Sequence, residues 1–209
     1  MRLTKLEHSC IILEQDGQKL VIDPGVFSKL PEDLTNVAAV IVTHEHADHF
    51  DGPNLDRILA ASPGAKLFAP AEVAGQRQGA GIPKIQTSYR AGPFSLEFFG
   101  EQHAIIHPSY PYPHNLSVLI NDSVYFPGDS FTLPEREVKT LLLPANAPWA
   151  KVSETMDFFA ALKPARAFPV HDALLSEAGQ LVYDAWLQRA AEKADASYRR
   201  LAIGESINI

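Results

Sequence analysis

Apolar residues in this chain gather in short runs bounded by turn-forming residues, and the runs predict strands. Ser9 to Leu13 and Lys19 to Ile22 flank Asp16-Gly17, a dipeptide that favours a tight hairpin. The second run stops at Asp23-Pro24-Gly25, where proline and glycine break a ladder. Further strand-like runs occupy residues 37–42, 66–69, 94–99, 116–120, 124–126, 140–143 and 165–170. Phe94, Leu96 and Phe98 alternate with Ser95, Glu97 and Phe99, the period of a strand with one well-buried face. Elsewhere the period lengthens. Asn54 to Ala61 predicts a short helix stopped by Ser62-Pro63-Gly64. Val152, Met156 and Phe159 fall at helical spacing, and Lys163-Pro164 ends that run. Leu181, Val182, Ala185, Trp186 and Arg189 outline a longer amphipathic helix. Strands before, between and after the helices favour a layered α/β (α+β) domain over separate all-β and all-α parts. With no repeat or linker in sight, one domain over residues 1–209 is expected.

Composition narrows the class. The 209 residues, 46% apolar and 21% charged, suffice for a substantial core. A net charge of −7 argues against nucleic acid or an anionic membrane as partner. It leaves room for a small anionic substrate, because a metal ion brings its own positive field. Cys10 is the only cysteine, so no intrachain disulfide can form. The first residues lack an apolar signal core and no run reaches the length of a membrane span. A cytoplasmic enzyme, free to form homo-oligomers, is the expectation.

The chemistry is concentrated in Thr43-His44-Glu45-His46-Ala47-Asp48-His49, directly after the apolar run that ends at Val42. Imidazole nitrogens with a carboxylate oxygen suit zinc, manganese or iron. In an extended stretch alternate residues point the same way, so His44 and His46 can reach one ion together. Asp48 and His49 lie beyond, where a turn can offer them to a second ion. Three later residues share the setting of a strand end: Asp129 after Val124-Tyr125-Phe126, His171 after residues 165–170, and His103 after Phe94–Phe99. Loops at the carboxyl ends of strands converge without disturbing a core. Alone, each would read as a surface histidine or a capping aspartate; beside the first cluster they become ligand candidates. Asp23 is placed to orient a ligand imidazole or simply to make its turn. The stiff segment His107 to His114 predicts a rim on which His107 or His114 could donate to substrate. Asn146 to Lys151 would form another wall, and His8 could face the site from before the first strand.

These residues carry a resemblance. The run from Thr43 to His49, a later histidine, Pro127-Gly128-Asp129-Ser130 and Pro169-Val170-His171 are similar to those of the metallo-β-lactamase-fold metal-dependent hydrolases, most of all the small ascorbate-phosphate-lactonase-like members. The similarity runs from the Asp23-Pro24 turn to the last strand near 206–209. It implies a four-layer αββα sandwich of two mixed sheets with a dinuclear site along one edge. It gives His44, His46 and a third histidine to the first ion, and Asp48, His49 and His171 to the second. Asp129 would bridge. His103 is the preferred third histidine over His107 and His114, because it follows its strand most closely. The activity implied is hydrolysis of a small ester, lactone or phosphoester by hydroxide shared between two divalent ions, zinc first, with manganese or iron also suited. Asp48 would both bind and orient. A di-iron redox protein and a metal-retaining binding module are the competing readings. Cys10 lies too early to be the late cysteine ligand of true β-lactamases, and His46 stands where di-iron oxygen reductases place glutamate.

Overall fold

A computed structural model describes residues 1–209. One sheet comprises β1 (Arg2–Lys5), β2 (Ile11–Gln15), β3 (Gln18–Ile22), β4 (Val37–Ile41), β5 (Lys66–Phe68) and β13 (Ser206–Asn208), in the order β13-β1-β2-β3-β4-β5. The other comprises β6 (Ser88–Ala91), β7 (Phe94–Phe99), β8 (Ser117–Ile120), β9 (Val124–Phe126), β10 (Thr140–Pro144), β11 (Arg166–Val170) and β12 (Ser197–Tyr198), in the order β12-β11-β10-β9-β8-β7-β6. Both are mixed. β1, β2 and β3 run antiparallel and β3, β4 and β5 parallel; β6 to β9 run antiparallel and β9 to β12 parallel.

The alternation of side chains builds the layers. Ile11, Leu13, Leu20, Ile22, Ala39 and Ile41 meet Phe94, Leu96, Phe98, Val118, Ile120 and Phe126 between the sheets. The intervening Ile12, Val21 and Val40 point outward to Leu55 and Ile58 of α1 (Gly52–Ala61), with Val73 of the short α2 (Ala71–Ala74) in the same cluster. On the far side Leu119, Tyr125, Leu141 and Leu143 pack against Phe158 and Phe159 of α3 (Val152–Leu162) and Leu187 of α4 (Glu177–Lys193). Strands covered on both faces read as unbroken apolar runs, which is why they were visible in the sequence. The four layers are those of the expected αββα sandwich.

Several details differ from expectation, among them the short β6, β12 and α2, which the sequence reading did not include. The bulky stripe of α4 faces outward: Leu181 is 73% exposed, Val182 57% and Trp186 43%. The helix instead buries Leu187, Ala190 and Ala191, small residues that let it lie close to its layer. Arg189 stacks its guanidinium over Trp186, 4.7 Å from the ring centre. The strand β1 was also missed, because Lys5 is a cation at an inward position. Its side chain is 1% exposed, and its Nζ donates to the carbonyls of Leu6 and His8 and to Asp172 Oδ1. Cys10 is buried, and desolvation pushes its thiol up to about 12, so it stays protonated and inert.

Candidate metal centre

The register explains why distant residues meet. β1, β3 and β4 point the same way in one sheet, and β7, β9, β10 and β11 do so in the other. Past their carboxyl ends lie His8 (β1), Asp23 (β3), the 44–49 loop (β4), His103 (β7), Asp129 (β9), Trp149 (β10) and His171 (β11). Ring and carboxylate atoms of His44, His46 and His103 form one close group; those of His8, Asp48, His49 and His171 form a second; those of His44, His49 and Asp129 join them. Within each group every atom lies within 4.8 Å of the others.

Hydrogen bonds set how each imidazole is presented. His103 Nδ1 donates to the Ala104 carbonyl at 2.6 Å and His171 Nδ1 to the Asn146 carbonyl at 2.6 Å. Carbonyls only accept, so both rings carry a proton on Nδ1 and, in the neutral form, turn a bare Nε2 inward. His49 Nδ1 donates to Asp23 Oδ2 at 2.6 Å. The Thr43 hydroxyl donates to Asp23 Oδ2 at 2.7 Å and accepts from His44 Nδ1 at 3.0 Å. One buried carboxylate therefore holds two imidazoles in the same sense. Asp23 is also a turn residue, at φ 48°. Its two sequence readings hold together.

Four of the inward atoms have no hydrogen-bond partner. His49 Nε2, His103 Nε2, His171 Nε2 and Asp129 Oδ1 are buried without a hydrogen bond. His44 Nε2 and His46 Nδ1 face each other at 3.1 Å. Buried polar atoms are rarely left so, and each costs about 1–3 kcal/mol when it is. Nitrogen lone pairs converging on carboxylate oxygen are the donor set of zinc and its neighbours, so the residues fit divalent cations.

Asp129 lies at the middle. It is 3.2 Å from His49 Nε2, 3.3 Å from His103 Nε2 and 3.0 Å from His171 Nε2. The buried Trp149 donates its Nε1 to Asp129 Oδ2 at 2.9 Å. In the sequence Trp149 reads only as part of the 146–151 wall, with no role toward Asp129. Its only signal was that a buried indole N–H needs an acceptor. His8 is fully buried; Ala173 N–H donates to its Nδ1 at 3.3 Å, so its Nε2 carries the proton and donates to Asp48 Oδ2 at 2.9 Å. His8 thus has both nitrogens engaged, unlike His49, His103 and His171, whose Nε2 has no hydrogen-bond partner.

Other candidates lie elsewhere. His107 lines a cavity beside His46 and His103. His114 is exposed and pairs with Glu72 at 2.6 Å, so it does not join the cluster. Lys151 is exposed and caps α3, where its N–H donates to Glu154. It too stays outside.

Electrostatics follow the packing. Burial would raise Asp129, but His49 and His171 beside it hold it well below the usual carboxylate range. Burial also works against Asp48, and the imidazoles of His171 and His8 beside it, the latter by a hydrogen bond, hold it ionised. Burial lowers His44 and His46, with neighbouring imidazoles adding to the effect. For His171 burial is outweighed by Asp129, which lifts it from 6.5 to about 9. A histidine raised in the folded state stabilises fully below its unfolded value, and that stabilisation fades as pH climbs through the folded one. The metal-free protein is therefore expected to lose about 3 kcal/mol between pH 6.5 and about 9. Chemical denaturation in chelator across that window measures it, and flat or rising stability contradicts the Asp129–His171 pairing.

A profile described as the β-lactamase superfamily domain matches residues 2–171. The chain belongs to the metallo-β-lactamase-fold family of metal-dependent hydrolases. Protein Rv0786c of Mycobacterium tuberculosis is 36% identical over 196 residues, covering 88% of this chain and 89% of that one. A UPF0173 protein of Pyrococcus furiosus is 27% identical over 201 residues, 90% of this chain and 91% of its own. Among solved structures, Igni18, a metallo hydrolase of Ignicoccus hospitalis, superposes with a TM-score of 0.73 at 21% identity over 99% of this chain and 97% of that one. CmlA, a diiron β-hydroxylase of Streptomyces venezuelae, gives 0.75 at 14% identity, covering all of this chain and 54% of that one. At such identities the two structures speak for the fold alone. No helix of this chain is long and apolar enough to cross a membrane.

Proposed function

We propose that this protein hydrolyses a small ester, lactone or phosphoester with two divalent ions, zinc in first place. His44, His46 and His103 would hold one, Asp48, His49 and His171 the other, with Asp129 between them. The observation that carries this reading is the set of buried, unpartnered inward atoms, their tautomers fixed from behind by Asp23 and by backbone carbonyls. Ions bound there supply an activated water at neutral pH and an electrophile for the group under attack. The protein's own part is positioning. Asp48, ionised and steered by His8, accepts a hydrogen bond from the attacking water and aims it. Trp149 fixes the rotamer of Asp129. In ester hydrolysis water gives its oxygen to the acyl carbon, the acyl C–O bond breaks, and a water proton goes to the departing alkoxide.

The test is a screen of lactones, phosphodiesters and thioesters on metal-loaded protein. Asp48→Asn should lower kcat/KM on the order of 10²-fold or more, and activity that survives it removes this mechanism. His44→Ala should lower bound metal, read by elemental analysis; unchanged content contradicts the first-ion assignment. The same measurement identifies iron, on which a redox reading would rest.

A further inference from the structure

His46 and His103 form the floor of a cavity of about 200 Å³. Its walls come from the segment after His103: Ile106, His107, Tyr110 and Tyr112, with Pro111 and Pro113 between them. That volume is below the roughly 300–1,000 Å³ that takes a drug-sized ligand. No lysine, arginine, aspartate or glutamate lines it. Ile106 is 49% exposed, Tyr110 68% and Tyr112 41%, so three large apolar side chains stand open beside the cluster. Prolines at 108, 111 and 113 restrict the backbone that carries them, and a wall stiffened in advance loses little freedom on binding. His107 contributes one polar group. Ser109 N–H donates to its Nδ1 at 3.3 Å, so the neutral ring keeps its proton on Nε2 as a free donor.

We propose that this cavity selects an uncharged carbonyl ester or lactone with a compact apolar or aromatic end. That end would lie on Tyr110, Tyr112 and Ile106, with His107 Nε2–H donating to an ester oxygen. The inference rests on the hydrolase reading and narrows its substrate. Away from the ions, holding a phosphate or carboxylate on the substrate's far end draws on arginine, lysine or a helix N-terminus, and this wall has none of them. A charged end would gain no countercharge from this wall, while an apolar end would gain contact with it. A phenyl face against two tyrosines gains on the order of 10–100-fold in binding.

The experiment uses full-length, metal-loaded protein and two γ-lactams, uncleavable mimics of a lactone, alike except that one bears phenyl where the other bears carboxylate. Calorimetry should show the phenyl lactam bound at least about 10-fold more tightly. Tyr110→Ala and Ile106→Ala, both at exposed positions, should each weaken it several-fold while metal content and circular dichroism stay as in the parent. His107→Ala should weaken both lactams alike, and His107→Gln should restore part of the loss. Equal or reversed preference between the lactams overturns the proposal, as does binding indifferent to both wall variants. In parallel, kcat/KM for a phenyl ester should exceed that for a matched phosphodiester; the reverse also overturns it. Lactam selectivity without turnover of any ester, lactone or phosphoester sinks the hydrolase reading and leaves the cavity's preference standing.

Discussion

Gly25→Ala should destabilise the protein by at least about 3 kcal/mol and strip it of bound metal. A Cβ at this position would lie 2.0 Å from the Asp48 carbonyl oxygen, 2.1 Å from its carbon and 2.5 Å from His49 N. All three are backbone atoms, so no side chain can swing away. Neither strand of the contact is free to yield. Gly25 N–H donates to the Asp23 carbonyl at 2.8 Å, and Val26 N–H donates to the Ala47 carbonyl at 2.8 Å. Pushing the 44–49 loop outward therefore drags Asp48 and His49 off the cluster; pushing the 23–26 turn back withdraws the carboxylate that orients His44 and His49. Denaturant titration and zinc content measure the two consequences. Gly64→Ala, where the added carbon meets nothing within 4 Å, is the control and should be close to neutral. Parent-like stability and metal content in Gly25→Ala would show that the loop is not held as described.

The second large effect is expected at Asp129. Asp129→Ala should empty both of the proposed metal positions and lower kcat/KM by more than about 10³-fold. Its carboxylate faces His49, His103 and His171 at once, and its backbone is fixed independently. Asp129 N–H donates to Asn115 Oδ1, and its carbonyl accepts from Ala104 N–H. The loop should therefore keep its path when the side chain is cut back. Asp129→Asn keeps the shape and an acceptor for Trp149 while removing the charge, so it separates folding from electrostatics. Without that charge the largest cause lifting His171 is gone, and the loss of stability between pH 6.5 and about 9 should shrink in the metal-free variant. A variant that retains two ions per chain would rule out a central role for Asp129.

Much of this was legible before any coordinates. Strands buried on both faces write themselves as apolar runs, and ligand-type residues at their ends mark the edge where loops converge. What stayed hidden depends on orientation. The stripe through Leu181, Val182 and Trp186 has the right period, but period does not say which side of α4 a layer will cover. Tight contact with α3 favours the small Ala190 and Ala191. Trp149 is twenty residues from Asp129 in a separate loop, and nothing local joins them. His114 and Lys151 sit near the right segments, yet one turns out to Glu72 and the other caps a helix. His8 follows a strand whose inward lysine disguised it. The carboxylate at Asp172, one residue past His171, accepts from both Lys5 and Arg200, which is why that lysine can be there at all.

The cluster draws its side chains from opposite layers: Asp23 and residues 44–49 hang from one sheet, His103, Asp129 and His171 from the other. An ion seated among them would act as a rivet through the seam of the sandwich. Heat tolerance would then follow the supply of that ion, since occupancy adds to the folded state by mass action. Chelation would loosen the two halves first at this rim, leaving the opposite end of the core closed.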